Sequence, residues 1–340
     1  MKHTSRHHKA APAVRRFRII ASTTVGAVIF LILVGAVVRM TGSGMGCPDW
    51  PTCFGQWVPP TELSQLPADY KTRFAVAGKE IADFDAFKTW VEYVNRLLGV
   101  LIGLFSLATV VAALPLRKVY PQVFRFSAAG LLAVIVVGGV GAYVVRTDLQ
   151  AGVVTVHMVL ALGALSLFLL ALLRSYRPAL IEQSEDLPAV PSKAVSWAGI
   201  TLVVVLAQIV MGTQVREEID VIAKALGEGT RDQWIAQLGA IYDWHSLSYY
   251  AVVGALVMLG VQLRPLLSDW KALNYLYIGL WLVVASEILL GLGMHHFEIP
   301  AWMQPAHLLL ATLLYAGSVS ITMLLRMRQR LPLSQPLLHS

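Results

Sequence analysis

The chain has 340 residues, 56% of them hydrophobic and 14% charged, with a net charge of +7 and two cysteines. An apolar share this high, gathered in long blocks, excludes an ordinary soluble domain. The basic residues flank those blocks, so the charge reflects membrane topology and no nucleic-acid partner is expected. A helix needs roughly 20 apolar residues to cross the hydrocarbon. Eight such runs can be read, at about 18–38, 92–114, 123–145, 152–173, 195–215, 243–263, 273–294 and 301–325. The runs are continuous and lack the alternation of a membrane barrel. The expected fold is therefore an all-α integral membrane protein, with eight transmembrane helices arranged as two repeated four-helix bundles. Lys and Arg gather before the first run, in the 2–3, 4–5 and 6–7 connections and after the last run, which places that side and both termini in the cytoplasm. The expected divisions are a basic tail at 1–17, an N-terminal bundle at 18–175, an inner linker at 176–194, a C-terminal bundle at 195–326 and a tail at 327–340.

The run at 18–38 has no cleavage-type site after it and reads as a retained anchor. It ends in Gly35-Ala-Val-Val-Arg39, which the fifth run echoes as Gly212-Thr-Gln-Val-Arg216. After Arg39 comes a long outer loop that opens Thr41-Gly-Ser-Gly-Met-Gly-Cys-Pro-Asp-Trp-Pro-Thr-Cys53. Its Gly and Pro density predicts a tight, irregular turn. Cys47 and Cys53 lie on the oxidising side, close enough in sequence to form a disulfide if the Pro48 and Pro51 turns bring them together. Whether such a bond is a staple or a redox-active pair is left open.

The second run opens Glu92-Tyr-Val-Asn-Arg96, with Glu92 and Asn95 sharing one helix face. The strongest internal echo follows. The segment ending His157-Met-Val-Leu-Ala161 is repeated in the one ending His307-Leu-Leu-Leu-Ala311, with Gly141 falling on Gly291; the same offset sets Asn95 opposite His245. Polar residues at matching depths of two apolar halves suggest one site per half. His245 and His307, on alternate helices of one half, suit axial ligation of a haem. In the first half an amide replaces one imidazole, so a haem there would rest on His157 alone, with its other face open. Arg39, Arg96, Arg146 and Arg216 lie near outer helix ends, where they suit haem propionates or lipid headgroups equally. Glu287, deep in the seventh run, fits a proton path or a hydrogen bond to a neighbouring helix. His295, His296 and Glu298 read as a solvated outer loop, with metal binding as the alternative, and 217–243 as a charged outer connection whose periodic middle suits a short surface helix.

The stretch Arg39 to Trp57, the Glu92-Tyr-Val-Asn-Arg96 segment and the paired histidine helices together resemble the haem A synthase family, over essentially all eight helices. The resemblance implies a membrane oxidoreductase that oxidises a ring methyl of haem O to the formyl group of haem A for terminal oxidase assembly. It implies haem b held by His245 and His307, a substrate haem on His157, Glu92 as the catalytic carboxylate and Cys47 with Cys53 as the outer-loop pair. It further implies a bacterial inner membrane location and a haem O-supplying farnesyltransferase as partner. The departure is Asn95, where the family pattern has Glu-x-x-His-Arg. A homo-oligomer and the identity of the electron donor are left open. Competing readings are a non-catalytic haem carrier, a dihaem quinol-linked electron-transfer protein and a transporter.

Overall fold

The computed structural model describes residues 2–177, 180 and 188–330. Residues 178–179 and 181–187 of the linker between the halves, and the tail from 331 on, lie outside the described residues. Eight helices are long and apolar enough to cross a membrane. They are α1 (Lys2–Met40), α2 (Ala86–Ala113), α3 (Pro121–Arg146), α4 (Val153–Ser175), α5 (Ser192–Leu226), α6 (Ala240–Leu267), α7 (Lys271–His296) and α8 (Met303–Gln329). Among the described residues, β pairing is confined to two isolated bridges, Cys53 with Gln56 and Val76 with Lys79.

Several helices outrun the apolar runs, because hydropathy marks only the lipid-embedded part while polar residues carry the helix onward. The second helix starts at Ala86 rather than near 92, where Asp85 caps it by accepting from Lys88 N at 3.1 Å. Glu92 and Asn95 thus sit inside the helix and not at its opening. The fifth helix continues to Leu226, so Glu217 and Asp220 are helical rather than part of an open connection. His295 and His296 form the last turn of α7 instead of a loop.

The helices pack in chain order. In 11–175, α1 meets α2, α2 meets α3, α3 meets α4 and α4 returns to α1; in 192–329 the same cycle runs α5, α6, α7, α8 and back to α5. The two sets meet where α8 packs on α1 and α4, and where α4 touches α5. Helix α8 is consequently the most enclosed, with 61% of its apolar window buried against 11% for α7. Lipid tails are as apolar as Leu, so close packing and polar contacts hold such helices together. On α8 small residues allow the approach: a Cβ on Gly317 would lie 2.5 Å from Leu280 Cδ2 of α7. Its buried hydroxyls are satisfied within the helix, Thr312 donating to Leu308 O, Ser318 to Leu314 O and Thr322 to Ser318 O, each at 2.8 Å. Between helices, Thr24 meets Thr109 at 2.8 Å and Ser166 meets Tyr315 at 2.9 Å; such bonds contribute about 0.6 kcal/mol each in a bilayer.

Candidate functional site

The loop after α1 builds one wall. Cys47 and Cys53 form a disulfide, and both are fully buried. Around them Phe54 packs edge-on against Tyr70, Phe74 and Phe84, giving the loop its own small apolar core. Asp49 closes the turn by accepting from Thr52 Oγ1, from Phe54 N and, at 2.9 Å, from Gly55 N. This is what the Cys-Pro-Asp-Trp-Pro-Thr-Cys order supplies: an acceptor side chain between two turn-forming prolines.

The loop is fastened to α2 by the residues singled out for chemistry. Arg96 donates from Nη1 to Asp49 O and Thr52 O, and from Nη2 to Cys47 O at 2.8 Å. The same guanidinium holds Glu92 Oε1, with Nε at 3.1 Å and Nη2 at 2.5 Å, while Glu92 Oε2 accepts from Cys47 N at 2.8 Å. Thr89 donates to Gly46 O at 2.9 Å, and Gly46 itself admits no side chain, since a Cβ would lie 2.3 Å from Lys88 O. Glu92, 4% exposed, is thus engaged at both oxygens. Arg96 is committed to the loop rather than left facing the cavity alone.

His157, His245 and His307 share a local construction. Each ring lies against a glycine of the preceding helix: His157 against Gly141, His245 against Gly212 and His307 against Gly291, where an added Cβ would stand 3.2, 3.1 and 4.0 Å from the ring Cε1. One turn before the glycine, the carbonyls of Val137 and Gln208 lie beside the first two rings. On α7 the matching position is Glu287, whose Oε2 is 2.8 Å from His307 Nδ1 though off the line of an ideal N–H bond. Glu287 Oε1 has no partner. Glu287 thus makes the contact to a neighbouring helix that is one of its two expected roles, although the sequence does not name His307 as the partner. Around His245, Gln208 Nε2 and Ser248 Oγ donate to its carbonyl at 3.0 and 2.9 Å.

The rings of His245 and His307 face each other with centroids 6.3 Å apart and planes at 86°. Imidazole nitrogens bind first-row metals at roughly 2 Å, and the nitrogen lies about 1 Å from the ring centre, so two rings sharing one metal stand about 6 Å apart. The pair therefore fits a metal held between them. In the first half, His157 has Asn95 for its counterpart. Asn95 Oδ1 is buried without a partner, and a Cβ on the equivalent glycine, Gly35, would meet nothing within 4 Å.

Glu92, Asn95, His157, His245, Glu287 and His307 line a cavity of about 1640 Å³ that draws on all eight spanning helices and the loop. That exceeds the roughly 300–1,000 Å³ typical of a site for one small ligand. At its rim Arg39 of α1 binds Asp220 of α5 through Nε and Nη2 at 2.9 and 2.6 Å, and Arg216 takes the other carboxylate oxygen at 2.6 Å. Arg146 stands apart, exposed in the last turn of α3. Glu217 ties α5 to α4, accepting from Gly152 N and Thr155 Oγ1 at 3.1 and 3.0 Å. His295 pairs through Nδ1 with Tyr242 Oη at 2.7 Å. Among the described residues no group of three or more His, Cys, Asp or Glu forms a metal cage.

Fold and site together define a multi-pass membrane protein in which a disulfide-closed loop and inward-facing imidazoles enclose a shared intramembrane cavity. The profile of the COX15-CtaA family, described as cytochrome oxidase assembly protein, matches residues 18–319. The chain belongs to that family. The heme A synthase of Shewanella oneidensis is 25% identical over 292 residues, covering 78% of this chain and 84% of that protein. The heme A synthase of Paracoccus denitrificans is 29% identical over 189 residues, covering 50% and 48%. That of Geobacillus thermodenitrificans is 47% identical over a short stretch of 53 residues.

Proposed function

We propose that this chain is a haem A synthase, taking haem O as substrate and oxidising one ring methyl to the formyl group of haem A. The observation that carries the reading is the facing His245–His307 pair of the C-terminal half, set at the separation a shared iron needs, beside an N-terminal half that keeps one histidine of such a pair. His245 and His307 would hold haem b from both sides, with Glu287 fixing the His307 ring so that Nε2 faces the metal. Haem b, when bound, supplies electron transfer, which side chains alone do not provide. The substrate haem would be held by His157, with Asn95 of α2 lining the same cavity.

The residues of the chain have separable tasks in this reading. His157 orients the substrate, and the side-chain-free positions Gly35, Gly99, Gly103 and Gly138 leave room for a flat ring along the cavity wall. Glu92 offers a carboxylate beside the cavity, held in place by Arg96 and Cys47 N, to stabilise developing positive charge or accept a proton from the reacting edge. Arg39 and Arg216 present guanidinium groups at the rim for propionates, already aligned by Asp220. The disulfide loop seals the site above Glu92. The family and the run of Lys and Arg support placement in a bacterial inner membrane with both termini cytoplasmic, next to the farnesyl-transferring enzyme that makes haem O.

The direct test is extraction of haem from membranes expressing this chain with a haem O source, followed by reverse-phase separation. Haem A is the expected product. Haem O bound and unchanged would instead support a carrier. Asn95 gives a second, spectroscopic expectation: the first-half haem binds carbon monoxide or cyanide, and Asn95→His blocks that binding by filling the open position. A low-spin, ligand-inert first-half haem in the unmodified protein would contradict it.

A further inference from the structure

At the end of the bundle opposite the disulfide loop, a second cavity of about 290 Å³ lies where α3 begins and where α4 and α8 end. Arg174, Arg177 and Arg330 line it together with Tyr120, Gln122 and Val123. No carboxylate lines it among the described residues. Arg177 and Arg330 both lie near enough to Arg174 to repel it, and Arg174 Nε is buried without a hydrogen-bond partner among the described residues. Gathering three like charges around a cleft, one with an unmet donor, is unfavourable unless an anion joins them.

Two further features point the same way. Helix α3 opens at this cavity with Tyr120 at its cap and Pro121 in the first turn, and the cap residue's side chain makes no hydrogen bond to the first-turn amides. The start of a 26-residue helix is an anion-binding end. The arginines are also not needed to close α4, because Arg18 already does so: its Nη2 donates to Ser175 O at 2.7 Å and its guanidinium lies 3.8 Å from the centre of the Tyr176 ring. We propose that this cleft binds a phosphate-type anion, carried on the headgroup of an anionic phospholipid or free in solution. Planar guanidinium forks match phosphate oxygens two at a time, and basic clefts between spanning helices suit anionic headgroups.

The test uses the full chain purified in detergent and delipidated, beside the triple variant Arg174→Gln, Arg177→Gln and Arg330→Gln, and the single exposed change Arg330→Gln. Binding of phosphatidylglycerol, phosphatidylcholine and inorganic phosphate is followed by native mass spectrometry and by the shift in thermal unfolding. Preference for phosphatidylglycerol over phosphatidylcholine, weakened roughly five-fold by Arg330→Gln and about 100-fold in the triple variant, is expected for a lipid headgroup. Stabilisation by millimolar phosphate, with no preference between the lipids and lost in the variants, would assign the same site to a free anion. Equal binding by wild type and a variant of unchanged helicity, or no binding of either probe by wild type, would overturn the proposal. The single variant keeps the test decisive should the triple variant fail to fold.

Discussion

Replacing Glu92 with Gln is expected to lower haem A formation by about 10²–10⁴-fold, the range for loss of a positioned acid or base, while haem O remains bound. The geometry makes this substitution informative. A glutamine keeps one carbonyl oxygen for either Cys47 N or Arg96, while Arg96 still holds the carbonyls of Cys47, Asp49 and Thr52 and Thr89 that of Gly46, so the loop stays fastened while the charge is lost. Glu92→Ala removes both, leaving the Arg96 guanidinium, 13% exposed, without its carboxylate. Turnover assayed beside limited proteolysis of the outer loop separates the two roles. Loss of turnover with an intact loop in Glu92→Gln assigns chemistry to the carboxylate. Full turnover in Glu92→Gln, with a loosened loop only in Glu92→Ala, would reduce Glu92 to a fastener.

The second large effect lies in the C-terminal half. His245→Ala and His307→Ala should each abolish the low-spin six-coordinate spectrum with the chain still inserted in the membrane, since each removes one of two facing rings 6.3 Å apart. Glu287→Gln should be milder, weakening haem retention about 10–100-fold, because it leaves the ligand but removes the charge that fixes its ring. Titration of haem into the apoprotein distinguishes them. An unchanged reduced spectrum in both histidine variants would remove the haem b assignment, and unchanged affinity in Glu287→Gln would leave Glu287 without a part in it.

What was legible in the sequence follows from which forces act locally. Eight spanning helices could be read because hydropathy over about 20 residues is a property of the chain alone. The Cys47–Cys53 bond was legible from two cysteines among turn residues. The helix ends were not, because Ala86 to Trp90 and Glu217 to Leu226 are polar enough to read as connection yet continue as helix. The Glu92–Arg96 pair lay in plain view at i,i+4 spacing. Its second task, gathering the carbonyls of Cys47, Asp49 and Thr52, depends on how a loop some forty residues earlier folds back. The meeting of Glu287 with His307 depends on the rotation of two helices about their own axes, which a one-dimensional pattern does not carry. Asp220, the link between Arg39 and Arg216, was missed because 217–243 reads as a connection, which hides its i,i+4 place on the same helix as Arg216.

The unequal enclosure of α7 and α8 sets how freely each can vary. A saturation library scored by membrane yield should find α8 intolerant along most of its length, since residues such as Leu314, Ile321 and Leu325 are buried and Gly317 has no spare room. Helix α7 should accept most apolar exchanges at Tyr275, Leu282 and Leu289, all at least 66% exposed, and refuse them on the strip that carries Leu280, Val284 and Glu287. Drift between descendants of this chain would then accumulate on one helix of the last hairpin while its partner stays nearly fixed, although the two differ by one residue in length.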